Sequence, residues 1–453
     1  MKTHPKVPSL LRPNLGSTTR AQRCWLPVGV ATAFLYSVNL AHGATLTVTT
    51  DADKGTGSLR GRIAAAAPGD TITFDASLNG RTLVLTQGEL VIAKPLTVIG
   101  PGATNLTISG NNRSRLLRIA NMSPPITVSL AELTFTSGNG QGGGHSGRGG
   151  AIYNDHAVLI VSNCVVTGSS AAEVAGGIYN FGANGGRASL TLENSTISGN
   201  SSVNSGGGLF NGGLNGDATM TIRNCTLSGN TAGWGGAVFN NGENGRAALT
   251  ILNSTLSDNR STDHAGGIQN QFGTLTISHT LLARGARGVN ADGNGSVINR
   301  GFNISDDDST AAFARNAGNL RLGPLGIHGG STPTHALLPG SPGIDAGSHG
   351  PIADMPRDQR GPGFERIANG RADVGAYEVQ SPRATLVGLA PPDLSVTFKG
   401  EPNEILMIEW NSHARSTGWQ PLATGTTDAT GRLEYTDHGA PGQPQRFYRA
   451  VRP

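Results

Sequence analysis

A unit of about 30 residues repeats five times in the middle of this chain, and this repetition constrains the fold more than any other feature. Each unit has a glycine pair, apolar residues and a closing asparagine; the closing asparagines are Asn154, Asn180, Asn211, Asn240 and Asn270. A second marker, asparagine followed by Cys or Ser, keeps the same phase; it occurs at Asn163-Cys164, Asn194-Ser195, Asn224-Cys225 and Asn253-Ser254. Repetition with such a period predicts a solenoid.

The repeats predict short strands rather than helices. Apolar and polar residues alternate in residues 190–194, 220–224 and 249–253, as in a strand with one buried face. The next apolar residue follows the asparagine after three positions instead of two, so the broken phase predicts a corner. We therefore predict an all-β parallel β-helix whose coils stack about 4.8 Å apart. A leucine-rich solenoid is disfavoured because no segment with a helical period separates the strands.

Composition and charge agree with this fold class. The chain has 67 glycines in 453 residues and only 14% charged residues, which argues against a helical bundle or an ordinary α/β enzyme. The net charge of +4 comes from the first 43 residues, which hold five Lys and Arg and no acid. The remaining chain has 29 basic and 30 acidic residues, so nucleic acid is not an expected partner.

Stacked coils place like residues above one another. We predict that Asn194, Asn224 and Asn253 form a ladder at one corner, which satisfies turn backbone groups and serves stability rather than catalysis. Cys164 and Cys225 occupy the same phase two coils apart, about 10 Å from each other, which exceeds the roughly 7 Å limit for a disulfide. Both thiols are therefore expected to be free.

The two ends of the solenoid carry different sequences. Ser58 is predicted to cap a short helix through Leu59 and Ile63 that covers the first coil. The repeats give way after about residue 300 to a Pro-, Gly- and Asp-rich stretch up to Glu378, which predicts a long closing wrap. We assign residues 44–380 to the β-helix region, and residues 384–453 to a separate small β-sandwich.

Residues 1–43 have the layout of a secretory signal peptide. A basic stretch ends at Arg23, an apolar run spans residues 25–40, and small residues surround a cleavage site near Gly43. An uncleaved membrane anchor is the alternative, although the run is short for a spanning helix. No later stretch is expected to cross a bilayer, so we predict a secreted or cell-surface protein.

Several segments resemble known bacterial families. The glycine-pair units are similar to the right-handed parallel β-helix repeats of polymorphic outer-membrane proteins and pectin-lyase-like proteins. Residues 57–74 resemble the frame of an N-terminal domain named for its Cys-Ser-Leu-Arg-Glu-Ala signature, with Gly57 in place of the cysteine. Residues 332–347, 358–361 and 373–378 resemble the choice-of-anchor Q domain of surface proteins. These resemblances imply a right-handed β-helix at the cell surface rather than a defined activity.

Two classes of function stay open. The first is a non-catalytic protein for binding or adhesion to polysaccharide or another surface; a purely structural coat component is a separate remaining alternative. The second is a polysaccharide lyase or glycoside hydrolase, since β-helices often carry such enzymes. A hydrolase needs carboxylates that converge on one bond. The acidic residues of the repeats fall at different phases of the coil; they are Glu193, Asp217, Glu243 and Asp258.

The sequence offers little for a cofactor. The run Asp306, Asp307 and Asp308 could bind Ca²⁺, with a solvated acidic loop as the alternative. Four histidines lack the spacing of metal ligands; they are His145, His156, His264 and His279. The densest charge cluster is expected to form structural salt bridges; it contains Asp354, Arg357, Asp358 and Arg360.

Three consecutive coils carry about five extra residues at one phase. Each insertion holds an Asn-Gly turn, at Asn184, Asn215 and Asn244, so we predict small loops that project from one face. Tyr179, Phe210 and Phe239 stack beside these loops, and Arg187 and Arg246 lie at their margin. Either the rings face outward and offer a track for a sugar chain, or the loops cover them.

Overall fold

The computed structural model describes residues 43–120, 122–285, 289–349, 355–390, 393–413, 418–438 and 446–453. The predicted signal peptide lies outside the described residues, apart from Gly43. Among the described residues, no helix is both long and apolar enough to cross a membrane.

Most of the described chain forms a right-handed parallel β-helix, as predicted. Sheet 1 has ten strands: Thr45–Val48, Thr71–Phe74, Leu96–Ile99, Thr127–Ala131, Val158–Ser162, Arg187–Glu193, Asp217–Arg223, Arg246–Leu252, Thr274–Ser278 and Ser296–Asn299. Sheet 2 has ten: Arg81–Val84, Leu106–Ser109, Thr134–Thr136, Val165–Thr167, Thr196–Ser198, Thr226–Ser228, Thr255–Ser257, Leu281–Ala283, Ile304–Ser305 and Arg315–Asn316.

Two further parallel sheets complete the coils. Sheet 3 has eight strands: Leu90–Ile92, Leu117–Ile119, Ile152–Asp155, Ile178–Phe181, Leu209–Gly212, Val238–Asn241, Ile268–Gln271 and Ala291–Asp292. Sheet 4 has four: Ser170–Ala171, Ser201–Ser202, Thr231–Ala232 and Arg260–Ser261. A central coil passes through sheets 3, 1, 2 and 4 in that order.

The core is built from the inward-facing residues of the strands. In sheet 1, Leu190 pairs with Met220, and Leu192 pairs with Ile222, so apolar side chains stack from coil to coil. All four are at most 1% exposed and belong to one cluster that runs through the solenoid. This continuous interior explains why the strands alternate in polarity.

Asparagine ladders hold two of the corners. Between sheets 3 and 1, the side-chain amide of each asparagine donates to Oδ1 of the next at 2.8 Å; the members are Asn154, Asn180, Asn211, Asn240 and Asn270. A second ladder joins Asn200, Asn230 and Asn259 at 3.0 and 2.9 Å. Both ladders are buried, and both donate to backbone carbonyl oxygens, such as Asn154 to Ala157 and Asn200 to Val166.

The predicted ladder at Asn194, Asn224 and Asn253 is present only in part. Asn224 Nδ2 donates to Asn194 Oδ1 at 2.8 Å, but within the described residues neither polar side-chain atom of buried Asn253 has a partner. These asparagines have φ of 47–57°, which makes the corner and directs them away from the core. The sequence therefore located the corner correctly but not the strongest ladder.

The two cysteines are free and buried, as predicted. Each alternates with a serine at the corner between sheets 1 and 2: the backbone amide of Cys164 donates to Ser195 Oγ at 3.1 Å, and that of Cys225 donates to Ser254 Oγ at 3.2 Å. Burial raises the pKa of both thiols to about 12. The thiols therefore stay protonated and act as small core side chains.

The predicted helix covers the first coil. Helix α1 spans Leu59–Ala65, and the Oγ of its N-cap Ser58 accepts the amide of Gly61 at 3.0 Å. Leu59 and Ile63 are buried in the same core as the coils, so the helix closes the interior at this end. A short 3₁₀ helix, Ala76–Leu78, follows in the next coil.

Residues 320–349 and 355–380, here called the returning segment, run back along the outer face of sheet 2. Thr196 Oγ1 donates to the carbonyl oxygen of Pro333 at 2.6 Å, and Thr226 Oγ1 donates to Gln359 Oε1 at 2.6 Å. Its antiparallel strands are Leu322–Gly326 and Thr334–Leu337. The segment thus wraps the side of the solenoid, because the outer hydroxyls of sheet 2 supply its partners.

Two small antiparallel sheets follow. One contains Arg383–Ala390, Asp393–Lys399 and Arg432–Asp437; the other contains Gln420–Thr426, Ile405–Asn411 and Phe447–Val451. The two sheets share one apolar cluster, with Val396 and Phe398 from the first and Leu406, Ile408 and Ala450 from the second. This arrangement agrees with the predicted small β module.

Candidate functional site

A cleft lies where sheet 1 turns into sheet 2, beside the returning segment. Its volume is about 540 Å³. Residues from four successive coils line one wall: Glu132, Asn163, Glu193, Asn194, Arg223 and Asn224. The opposite wall belongs to residues 355–362 of the returning segment, including Arg357. We call this the corner cleft.

Backbone geometry explains why these side chains line one wall. Glu132, Asn163, Asn194 and Asn224 each occupy the corner position of their coil, with φ between 48° and 58°. Asparagine tolerates this left-handed conformation better than most residues, which is why the marker recurs in the sequence. Each corner turns the chain out of sheet 1 and presents its side chain along the same edge.

The wall is polar and internally bonded. Arg223 and Glu193 form an ion pair of 2.8 Å, and each side chain is 31% exposed. Asn224 Nδ2 donates to the carbonyl oxygen of Arg357 at 3.0 Å, which connects the corner to the returning segment. Amide, carboxylate and guanidinium groups thus face one partly open space.

Glu132 was missed by the sequence analysis. Its coil precedes the five clear repeats and has glutamate where the later coils have the asparagine marker. The alignment of the repeats therefore did not include it. In sheet 1, Ala131 pairs with Ser162, and Ser162 pairs with Glu193, so Glu132 lies two coils below the level of Glu193. Two coil steps correspond to about 9.6 Å. The wall that the coils form therefore contains two carboxylates, although the repeat acids alone suggested that none would converge.

The aromatic row lies outside the solenoid core but is covered. Tyr179 and Phe210 have ring centroids 4.9 Å apart, and Phe210 and Phe239 are 5.0 Å apart. The three rings are 6–7% exposed and pack with half-buried Trp234 and Leu214. Of the two predicted arrangements, the structure has the covered one, so the rings offer no open track for a sugar chain.

The insertions form tight turns that stack on each other. Asn184, Asn215 and Asn244 have φ of 57°, 52° and 50°. The amide of Asn184 donates to the carbonyl oxygen of Leu214 at 2.9 Å, and the amide of Asn215 donates to that of Glu243 at 3.1 Å. The turns therefore continue the parallel stacking of the coils.

Arg187 and Arg246 lie where their strands of sheet 1 begin, whereas the corner cleft lies where these strands end. They begin their strands, and Asp217 lies between them in register. Arg246 Nη1 is 3.4 Å from Asp217 Oδ1, and the arginine side chain is 64% exposed. Arg187 borders shallow depressions of about 270 and 430 Å³, and none of the three row aromatics lines them.

The three aspartates of the acid run bond the last coil. Asp306 Oδ1 accepts from Asn290 Nδ2 at 2.7 Å, and Asp307 Oδ2 accepts from the amide of Asn290 at 2.8 Å. Asp308 Oδ1 accepts from Asn316 Nδ2 at 2.8 Å. These bonds give the carboxylates a structural role, and Ca²⁺ binding stays a prediction.

The histidines are distributed among separate environments. His156 Nδ1 bonds Asp155 at 2.6 Å, His264 Nδ1 bonds Asp292 at 2.9 Å, and the His145 ring stacks on Tyr153. Burial lowers the pKa of His279 to about 4, so this side chain is neutral near pH 7. Across the described ranges, no three His, Cys, Asp or Glu side chains are grouped so that they could hold a metal ion.

The charge cluster in the returning segment is structural, as predicted for Asp358 and Arg360; Asp354 lies outside the described residues. Asp358 and Arg360 form a fully buried ion pair of 2.7 Å. The guanidinium of Arg360 lies over the rings of Phe364 and Tyr377, with 3.9 and 3.7 Å to the centroids. Arg360 also bonds Glu401, which connects the segment to the C-terminal module.

Two more buried carboxylates stabilise the returning segment. The backbone amides of Ala368 and Asp373 donate to Glu378 at 3.0 and 2.7 Å, and that of Val379 donates to Asp373 at 2.7 Å. Burial raises the pKa of Glu378 to about 8 and that of Asp373 to about 6. These groups are folded under the segment rather than presented to a cleft.

No family model matches the chain, and the comparison with curated proteins found no match either. The choice-of-anchor Q and pectin-lyase-like assignments therefore stay predictions from the sequence motifs.

Proposed function

We propose that the protein is exported and acts at the cell surface or outside the cell as a non-catalytic polysaccharide-binding or adhesive protein. One observation carries the proposal: side chains of successive coils and of the returning segment line the same partly open corner cleft. Ligand sites of proteins are usually concave, with a few polar groups that fix orientation. The signal-peptide layout and the resemblance to surface proteins support the location.

The chemistry of the corner cleft suits a polyhydroxylated ligand. The side-chain amides of Asn163 and Asn194 offer both donors and acceptors, while carboxylates accept and Arg357 donates. The stack of coils repeats these groups along one direction, which matches an extended chain better than a compact small molecule. The exposed Arg187 and Arg246 on the other edge of sheet 1 would favour an acidic polysaccharide.

Binding should be measured by affinity electrophoresis in gels that contain acidic or neutral polysaccharides. We expect Asn163→Ala combined with Arg357→Ala to weaken retardation at least tenfold. Asn204→Ala, an exposed asparagine beside sheet 4, is the matched control and should behave as the unmodified chain. The double variant Arg187→Ala and Arg246→Ala tests whether the opposite edge of sheet 1 contributes to binding. Retardation that persists in the Asn163/Arg357 variant would exclude the corner cleft.

A glycoside hydrolase is the second candidate, and Glu132 and Glu193 favour it. Both line the corner cleft from coils two steps apart, and an inverting glycosidase needs two carboxyl groups that flank one glycosidic bond. The same polysaccharides should be incubated with the protein and tested for new reducing ends and, for a lyase, for absorbance at about 235 nm, with and without Ca²⁺. We expect no turnover. Turnover that Glu132→Gln abolishes would establish an enzyme instead.

A further inference from the structure

The outer face of sheet 1 carries a row of hydroxyl side chains. The pairing register places one residue of each strand in this hydroxyl row, in the order Thr45, Thr71, Thr97, Ser129, Ile160, Thr191, Thr221, Thr250, Thr276 and Ile298. A second row lies two residues earlier, with Thr127, Val158, Ser189, Thr219, Ala248, Thr274 and Ser296. Every member of both rows is uncharged.

The hydroxyls of this row are open to outside atoms. Thr191, Thr221, Thr250 and Thr276 are half-exposed, and in the part of the chain that the structure describes their hydroxyls have no protein partner. The outer threonines of sheet 2 are different, since the returning segment buries Thr196 and Thr226 and bonds their hydroxyls. The same residue type thus serves internal packing on one sheet and faces solvent on the other.

The spacing of the row is close to that of ordered water. Neighbouring strands place equivalent residues about 4.8 Å apart. Tetrahedral water with O···O distances of about 2.75 Å places second-neighbour oxygens about 4.5 Å apart. The mismatch between the threonine spacing and the water spacing therefore accumulates to only about 1 Å over three or four successive coils. Threonine is stiff at χ1, so the array loses little side-chain entropy when it is occupied.

We infer that the face of sheet 1 binds the surface of ice. Charge agrees with this occupant, because ice is uncharged and both rows are neutral. The charged groups lie at the two edges of the sheet: Arg187, Asp217 and Arg246 on one side, and Glu193 and Arg223 on the other. Each threonine supplies a hydroxyl for lattice water and a methyl group for the spaces between waters. This site is separate from the corner cleft.

The test uses the purified full chain in two assays: thermal hysteresis of an ice crystal, and partition into a slowly growing ice front. We expect measurable hysteresis, and at least a fivefold loss of it in Thr221→Lys. Ala248→Lys, in the second row, gives an independent variant. Thr231→Lys is the matched control because Thr231 is an exposed strand residue on sheet 4, where the next coil already has Arg260.

Circular dichroism should be used to check that each variant folds. Absence of hysteresis in the unmodified chain overturns the inference, as does full activity of both folded lysine variants. An equal loss in Thr231→Lys overturns it too, because the effect would then be general. Retention on crystalline cellulose or chitin, without ice adsorption, would assign this face to a solid polysaccharide instead.

Discussion

The side-chain nitrogen of Asn180 donates a 2.8 Å hydrogen bond to Oδ1 of Asn211 in the next coil, and a second one to the carbonyl oxygen of Thr219 at 2.9 Å. Both asparagines are fully buried. One amide thus connects two coils and also bonds a backbone carbonyl oxygen in a strand of sheet 1.

Replacing Asn211 by leucine should destabilise the solenoid strongly. The change removes the acceptor of Asn180 and the donor to Asn240, and each stranded group costs about 1–3 kcal/mol, so we expect a loss of roughly 2–6 kcal/mol. Asn224→Leu, at the partly formed ladder, should cost about 1–3 kcal/mol. Urea denaturation measures both. An unchanged midpoint for Asn211→Leu would contradict the structural role of the buried ladder.

The two buried thiols should be unreactive in the folded protein. Because burial raises the pKa of Cys164 and Cys225 to about 12, almost no thiolate exists at pH 7 to 8. Alkylation followed by peptide mapping should find neither residue modified in native protein and both modified, without reduction, after unfolding. A disulfide-linked peptide pair would mean that the coil register is wrong.

The returning segment should loosen as the pH rises. The pKa of Glu378 is raised by burial to about 8, above its unfolded value, so the folded state holds this proton more tightly. The resulting stabilisation is complete below about pH 4 and is lost as the pH rises to about 8. Limited proteolysis should therefore cut residues 320–380 faster at pH 8.5 than at pH 5. Glu378→Gln keeps the group neutral and should reduce this dependence, while the raised pKa of Asp373 still contributes below about pH 6; an undiminished dependence would contradict the role of Glu378.

Arg360 should be required for the attachment of the returning segment. Arg360→Ala leaves Asp358 buried without its partner and also removes the bond to Glu401, so we expect a loss of about 3–5 kcal/mol. Arg360→Lys should recover only part of it, because lysine lacks the planar donor fork that meets Asp358 through two nitrogens. Denaturation followed by Tyr and Trp fluorescence measures the difference. Full recovery by lysine would show that charge alone is sufficient.

The sequence predicted the coil, its corners and the first cap because each rests on local chemistry. Alternating apolar residues define a strand, and asparagine tolerates the left-handed corner at Asn194 and Asn224. Which asparagines form the complete buried ladder was harder to predict, since the positions of Asn211 and Asn224 both recur once in each repeat. Only the backbone shows that Asn211 points inward from a strand while Asn224 points outward from a corner.

The site was predicted less well for two physical reasons. Glu132 replaces asparagine in a coil whose other markers are weak, so this coil could not be aligned with the repeats from sequence. The position of residues 320–380 depends on contacts with distant coils, such as Gln359 Nε2 with Thr196 Oγ1 at 2.9 Å, and no periodicity encodes them. For this reason the corner cleft, which needs both walls, could not be seen in the sequence.

The bond between Gln359 and Thr196 joins positions 163 residues apart, while Gln359 also accepts from Thr226 of the following coil. A solenoid whose coils touch only their neighbours can fray from either end, one repeat at a time. Here the returning segment contacts several coils at once. A central coil therefore cannot unfold alone without breaking contacts to a part of the chain that is synthesised much later. The central coils should consequently unfold in one cooperative step. They should reach full stability only after the last third of the polypeptide has been synthesised.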